Sequence, residues 1–167
     1  MKTYIIVIYD YFKSTDTYQI IWNFIICAIL AVSTFSMLYN SNNIEPAKSV
    51  INNSVSILGI LVGFSISMFT LLNTSANPNI DMIKKTETGK YSFGKPIYLF
   101  DLLLVSMIYV IIGESIVLIF NLLFSFFFCL ETLKGKIAFG FDIFLITHII
   151  FTNIKAITNF YFILSKK

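Results

Sequence analysis

The chain has 167 residues, of which 57 % are hydrophobic and 13 % charged, with a net charge of +3 and a mean hydropathy of +0.82. A soluble domain carries about 25 % charged residues, and a soluble fold of this length cannot hide so much apolar surface. That excludes most soluble enzymes, disordered chains and disulfide scaffolds, and the small charge gives no argument for nucleic acid. The expected fold class is an all-α integral membrane protein, with four transmembrane helices and a short interfacial N-terminal helix.

The chain has twelve lysines and no arginine. Ile, Phe, Asn, Tyr and Lys are abundant, as low-GC bacterial codon usage favours. Without guanidinium forks, an anion site must rely on lysine, hydroxyls or backbone N–H groups.

The N-terminal segment, 1–19, has too short an apolar run for a signal peptide and no small-residue cleavage site. Tyr4, Tyr9, Tyr11, Phe12, Tyr18 and Trp22 predict an aromatic-anchored helix on the cytoplasmic membrane face. A span needs about 20 mostly apolar residues, and four windows qualify within a 20–167 transmembrane domain: 20–38, 50–72, 97–130 and 143–164. The third is long enough to tilt, kink near Gly113 or project from the bilayer.

The second window has the clearest period. Ser49, Asn52, Ser56, Gly59, Gly63, Ser67, Thr70 and Thr74 recur every three or four residues and share one helix face. Small residues on one face serve close helix packing in lipid; hydroxyls and amides there also suit the wall of a pore. Ser56, Gly59, Gly63, Ser67 and Thr70 are therefore the expected pore or packing face.

The loop 73–96 separates spans two and three. Asn77 followed by Pro78 has the form of a helix N-cap with proline at the first position, so a short helix over 78–85 is expected, broken by Gly89 and Gly94. The segment from Gly89 to Pro96 has the outline of a G-x-x-x-x-G-K phosphate loop. Pro96 stands where magnesium binding needs Ser or Thr, and no strand precedes it. The expectation is a flexible basic loop.

Span three carries Glu114 near its midpoint, with Asn121 and Ser125 on the same face. A carboxylate inside a membrane is costly and marks a functional candidate. Span four carries His148, Thr152, Lys155 and Asn159 in a second stripe, so the expected intramembrane polar residues are Glu114, Asn121, His148, Lys155 and Asn159. Glu114 is expected either to face a pore or to pair with Lys155. Lys155 can otherwise snorkel to the inner interface. His148, expected near the outer interface, has no second histidine with which to share a metal. Cys27 and Cys129 lie in apolar runs, and neither a disulfide nor a metal or other cofactor is expected.

With four spans, Lys2, Lys13, Lys84, Lys85, Lys90, Lys95, Lys166 and Lys167 fall on one side and Lys48, Lys134 and Lys136 on the other. The positive-inside rule then places both termini in the cytoplasm of a bacterial inner membrane. Lys2, Lys13, Lys84, Lys85, Lys90 and Lys95 form the expected basic surface for a cytoplasmic ligand.

The stretch 54–85, which contains SILGILVGFSISMFTLLNTSANPNIDMIKK, resembles small multi-pass membrane proteins of bacterial anti-phage defence loci. The shared pattern is an L-x-G-F-S-x-S-x-x-T-L-L helix running into a polar loop with Asn and Lys. Hailong-type membrane effectors are the first match and the four-helix membrane subunit of Kiwa-type systems the second. The resemblance implies an oligomeric membrane effector controlled by a cytoplasmic defence protein, or by a nucleotide or oligonucleotide ligand.

No nucleophile and base stand together, so an enzyme is not expected. Polar stripes on three of four spans exceed the needs of a monomer, so the partners expected are the lipid bilayer and further copies of the chain, as a homo-oligomeric channel, with a tetramer as the expected state. The alternative is a non-conducting anchor or sensor that docks a cytoplasmic defence protein.

Overall fold

A computed structural model describes residues 2–41, 43–92 and 94–165. Lys166, Lys167 and the Lys2 side chain, used above for orientation and for the basic surface, lie outside the described part.

The order of elements is α1 (Lys2–Ser14), α2 (Thr17–Asn40), α3 (Glu45–Thr74), α4 (Pro78–Ile83), β1 (Glu87–Ser92), β2 (Lys95–Tyr98), α5 (Leu99–Phe127) and α6 (Leu133–Ser165). The architecture is all-helical apart from one small hairpin. Among the described residues, α2, α3, α5 and α6 are long and apolar enough to cross a membrane.

The four long helices form an open row rather than a closed bundle. α5 and α6 are the central antiparallel pair; α3 packs along α5, α2 packs along α6, and α2 and α3 scarcely touch. Three apolar clusters run down the row. Leu38, Ala47, Ile51, Phe124 and Phe139 close the far end. Leu58, Val117 and Ile149 form the middle. Met68, Leu72, Ile80, Leu103 and Phe160 close the end that carries α4 and the hairpin. Gly113 lies in the unbroken α5, and a Cβ added there would strike the Ile149 side chain. The struck atom is the tip of that flexible side chain, so a larger residue there would require Ile149 to turn aside.

The chain between α3 and α5 is ordered by local chemistry. The Asn77 side chain accepts the Asn79 N–H at 2.8 Å and caps α4, with Pro78 in the first turn. In place of the expected flexible loop, Glu87–Ser92 and Lys95–Tyr98 pair as antiparallel strands. Gly89 and Gly94 take φ of 71° and 77°, values that side-chain-bearing residues rarely adopt. Asp101 then accepts the Tyr98 N–H at 3.2 Å, in the manner of a capping box at the start of α5.

All four spans differ from their expected limits, α2 and α3 by running longer at both ends, 17–40 against 20–38 and 45–74 against 50–72. α5 covers 99–127, because 95–98 belong to β2. α6 begins at Leu133, ten residues before the expected 143, and so takes in Lys134, Lys136 and Asp142. The longer α6 moves His148 from the outer interface to the middle of its helix. The N-terminal segment also does more than rest on a surface. Tyr11 and Ser14 of α1 are buried against α5, and the Tyr11 ring stacks flat on Tyr109 with centroids 3.8 Å apart.

Candidate functional site

Three polar groupings stand out against this apolar frame. The first is the outward face of α3. Its inward face, with Ile51, Ser54, Leu58, Ser65, Met68 and Leu72, packs on α5 and α6. At 100° per residue the expected stripe lies on the opposite side of the helix. Ser49, Asn52, Ser56, Gly59, Gly63, Ser67, Thr70 and Thr74 are all exposed. A Cβ placed on Gly59 or Gly63 would meet nothing within 4 Å. Among the described residues, the stripe therefore packs against no other element of its own chain.

Its hydroxyls are back-bonded. Ser67 donates to the Gly63 carbonyl, Thr70 to Ile66 and Thr74 to Thr70, each at 2.9 Å. A hydroxyl that donates inward turns its oxygen lone pairs outward, so the stripe presents acceptors.

The second grouping is a polar seam buried where α3, α5 and α6 meet. Glu114 is fully buried. Ser65 of α3 donates to its Oε1 at 3.1 Å, and the Asn153 carboxamide of α6 donates to the same oxygen and, at 3.2 Å, to the Ser65 hydroxyl. Further along, Asn121 of α5 donates to Asp142 of α6 at 2.8 Å, and Asp142 is also fully buried. The two helices thus exchange carboxyl and carboxamide: Glu114 with Asn153, Asp142 with Asn121. Reciprocal pairs of this kind fix the register of neighbouring helices, since a slip of one turn would leave both carboxyls without donors. Glu114 Oε2 and Asp142 Oδ2 are buried without a hydrogen-bond partner among the described residues.

Two expectations for Glu114 are corrected by this geometry. It does not pair with Lys155, whose ammonium donates instead to Gln19 at 2.6 Å. Nor does it face an open passage within the chain: it is buried where α5 meets the inner side of α3. Asn121 is likewise a partner of Asp142, while Ser125 is exposed. Sequence reasoning missed Asp142, Asn153 and Ser65. The available signal was that Asp142 and Asn153, eleven residues apart, share one face of α6, as Glu114 and Asn121, seven apart, share one face of α5.

His148 closes this seam toward α2. Its Nε2 shares a 2.9 Å hydrogen bond with the Tyr109 hydroxyl, and its ring is flanked by Phe24, with centroids 5.0 Å apart, and by Phe144. Among the described residues, no three His, Cys, Asp or Glu side chains gather into a metal-holding group.

The third grouping occupies the hairpin end. The expected basic surface divides there. Lys13 sits over the Tyr9 ring, and Lys84 over Phe100 with Asp81 3.6 Å away. Lys85 and Lys95 are exposed. Lys90 instead turns in toward the α1–α2 turn and meets Asp16 at 2.9 Å. That hydrogen bond and the lysine charge hold the Asp16 carboxyl below its ordinary range. Lys90 and Lys155 line the same cavity, together with Gln19 and Asn159.

Fold and site together define an all-helical protein with four helices able to cross a membrane. No family model, curated protein or solved structure matches the chain.

Proposed function

We propose that this protein is a homo-oligomeric ion channel of a bacterial inner membrane, in which α3 of each copy turns its stripe toward a shared, hydrated axis. The observation that carries the reading is the exposure of the whole stripe from Ser49 to Thr74 on a helix long enough to cross the bilayer. Polar residues within spans normally face protein or water rather than lipid. None of the described residues covers these, and the two glycines leave room for another backbone or for a passage. Outward oxygen lone pairs on Ser67, Thr70 and Thr74 favour cations as the permeant ions.

Lysine placement supports the orientation. Lys13, Lys84, Lys85, Lys90 and Lys95 lie at the hairpin end, against Lys48, Lys134 and Lys136 at the other. The hairpin end, with both termini, then faces the cytoplasm, where a defence protein or ligand would act on it. The resemblance of 54–85 to defence effectors supports an opening triggered by infection.

Liposomes loaded with potassium and holding only this protein test the proposal, with and without the product of its genomic neighbour. The expected result is potassium release that Gly63→Leu abolishes. Silence in both conditions favours the non-conducting anchor instead.

A further inference from the structure

We propose that the hairpin end holds the phosphate of an anionic phospholipid on Lys155 and Lys90, with the lipid chain lying in the crevice between α2 and α6. The inference rests on the membrane placement above and goes beyond it.

Two hollows meet at Lys155. The first, of about 420 Å³, is enclosed by the α1–α2 turn, α4, the hairpin, α5 and α6. The second, of about 530 Å³, is a shallower crevice between α2 and α6, lined by Tyr18, Trp22 and Phe151. Gln19, Lys155 and Asn159 line both, so the hollows form one polar-to-apolar passage. Each volume lies within the roughly 300–1,000 Å³ of small-molecule sites.

The charges suit one phosphate. Lys90 is matched by Asp16, whereas Lys155 is in none of the ion pairs among the described residues. Its ammonium has three N–H donors, and among the described residues its one hydrogen bond goes to the neutral Gln19 carboxamide, with Asp16 and Lys90 acting on it only through their charge. The cavity thus holds two ammonium groups against one carboxylate, with the Gln19 and Asn159 amides beside them. In a chain without arginine, a phosphate must be met by lysine as a point charge.

Depth favours a lipid over a soluble phosphate. A 33-residue α6 measures about 50 Å against about 30 Å of hydrocarbon, so roughly 10 Å projects at each end. Lys155, about 15 Å from the end of the helix, then has its Cα about 5 Å inside the hydrocarbon. A lysine stem spans that distance and delivers the ammonium to the headgroup layer. Tyr18 and Trp22, 71 % and 48 % exposed, mark the same layer on α2. Basic pockets between helices at the cytoplasmic face are known recognition sites for acidic headgroups.

Trp22 is the single tryptophan of the chain and lines the crevice, so its fluorescence reports occupancy directly. The full chain is reconstituted in vesicles containing, at equal mole fraction, phosphatidylglycerol or phosphatidylcholine brominated on the acyl chain. The expected result is about fivefold stronger apparent binding of the brominated phosphatidylglycerol, the effect of one lysine. Lys155→Gln should remove the preference while leaving quenching by brominated phosphatidylcholine intact, and an unchanged thermal unfolding midpoint in detergent shows that the variant has folded. Should Lys155→Gln fail to fold, Lys90→Gln is the second variant and should lower the preference. Lys134→Gln, at the far end, should leave it unchanged.

Equal quenching by the two lipids in the wild-type chain overturns the proposal. Displacement of the lipid by millimolar glycerol phosphate overturns the lipid assignment and names a soluble phosphate ester as occupant. Absence of quenching by any lipid overturns the membrane placement itself, a failure distinct from that of the headgroup site.

Discussion

α2 and α3 occupy equivalent places at the two flanks of the row, and their exposed faces differ in kind. The outer face of α2 is mainly apolar, with Ile21, Trp22, Ile25, Ile29, Val32 and Met37 exposed, and its exposed serines, Ser33 and Ser36, lie near one end. On α3, exposed Ile57, Ile60, Phe64 and Ile66 flank a polar and glycine-bearing strip that runs the length of the helix. Lipid asks only for apolar surface and is satisfied by α2. A strip of hydroxyls, carboxamides and glycines is a surface that close packing or water requires. Two helices of similar length thus face different solvents, and the asymmetry gives the molecule an inside that lies beyond its own chain.

The largest expected effect breaks this contrast directly. Gly63→Leu places bulk where the monomer has open space, so thermal stability of the isolated chain should stay within about 0.5 kcal/mol. Oligomer yield in cross-linking and potassium flux should each fall at least about fivefold, the cost of overpacking a close interface by roughly 1–3 kcal/mol. Ile29→Leu on α2 should change neither.

A smaller effect separates outward polarity from inward. Glu114 and Asn153 touch and should show a coupling of about 1 kcal/mol in a double-mutant cycle of Glu114→Gln and Asn153→Leu, followed by thermal unfolding in detergent. Glu114 and Lys155 do not touch, and Glu114→Gln with Lys155→Met should be additive within about 0.5 kcal/mol. Strong coupling of the second pair would return Glu114 to the role of a paired charge.

The smallest effect lies where α2 begins. Lys90 depresses the Asp16 carboxyl below its ordinary 3.8. A depressed carboxyl contributes stability that is present above the unfolded value and lost as pH falls through the folded one. The tie between the hairpin and the α1–α2 turn should therefore hold at neutral pH and loosen only below about pH 3.8. At neutral pH, Asp16→Asn should speed hydrogen exchange in β1 and β2 a few-fold and leave α3 unaffected.

Much of this contrast is legible in the order of the residues. The 3.6-residue period of the α3 stripe and the Asn77–Pro78 cap are local signals, and each names its own geometry. The hairpin escapes because Glu87–Ser92, ETGKYS, has no apolar alternation to mark a strand; its form depends on two glycines in the left-handed region. The first turns of α6 escape because Lys134, Lys136 and Asp142 make that stretch look polar, and only the contact with Asn121 shows that Asp142 is an interior residue. Ser65 and Ser67 stand two residues apart and point to different sides of α3, one to Glu114 and one outward, a division that is settled by where α5 lies. Tyr11 carries the signature of a membrane anchor, and its stacking on Tyr109 is a tertiary fact.

The contrast between the two flanks is tested most directly by thiol accessibility. Cys27 and Cys129 are free thiols and are first replaced by alanine. Single cysteines are then placed on the strip, as Ser56→Cys and Ser67→Cys, and on the flank of α2, as Ile29→Cys and Val32→Cys. A charged, membrane-impermeant thiol reagent is applied to the chain in liposomes while potassium flux is recorded. The account predicts that both α3 cysteines react and that their modification blocks the flux, while both α2 cysteines remain unmodified. Ser56→Cys and Ser67→Cys as inert as the α2 pair would show that the strip faces no water, and would contradict the channel.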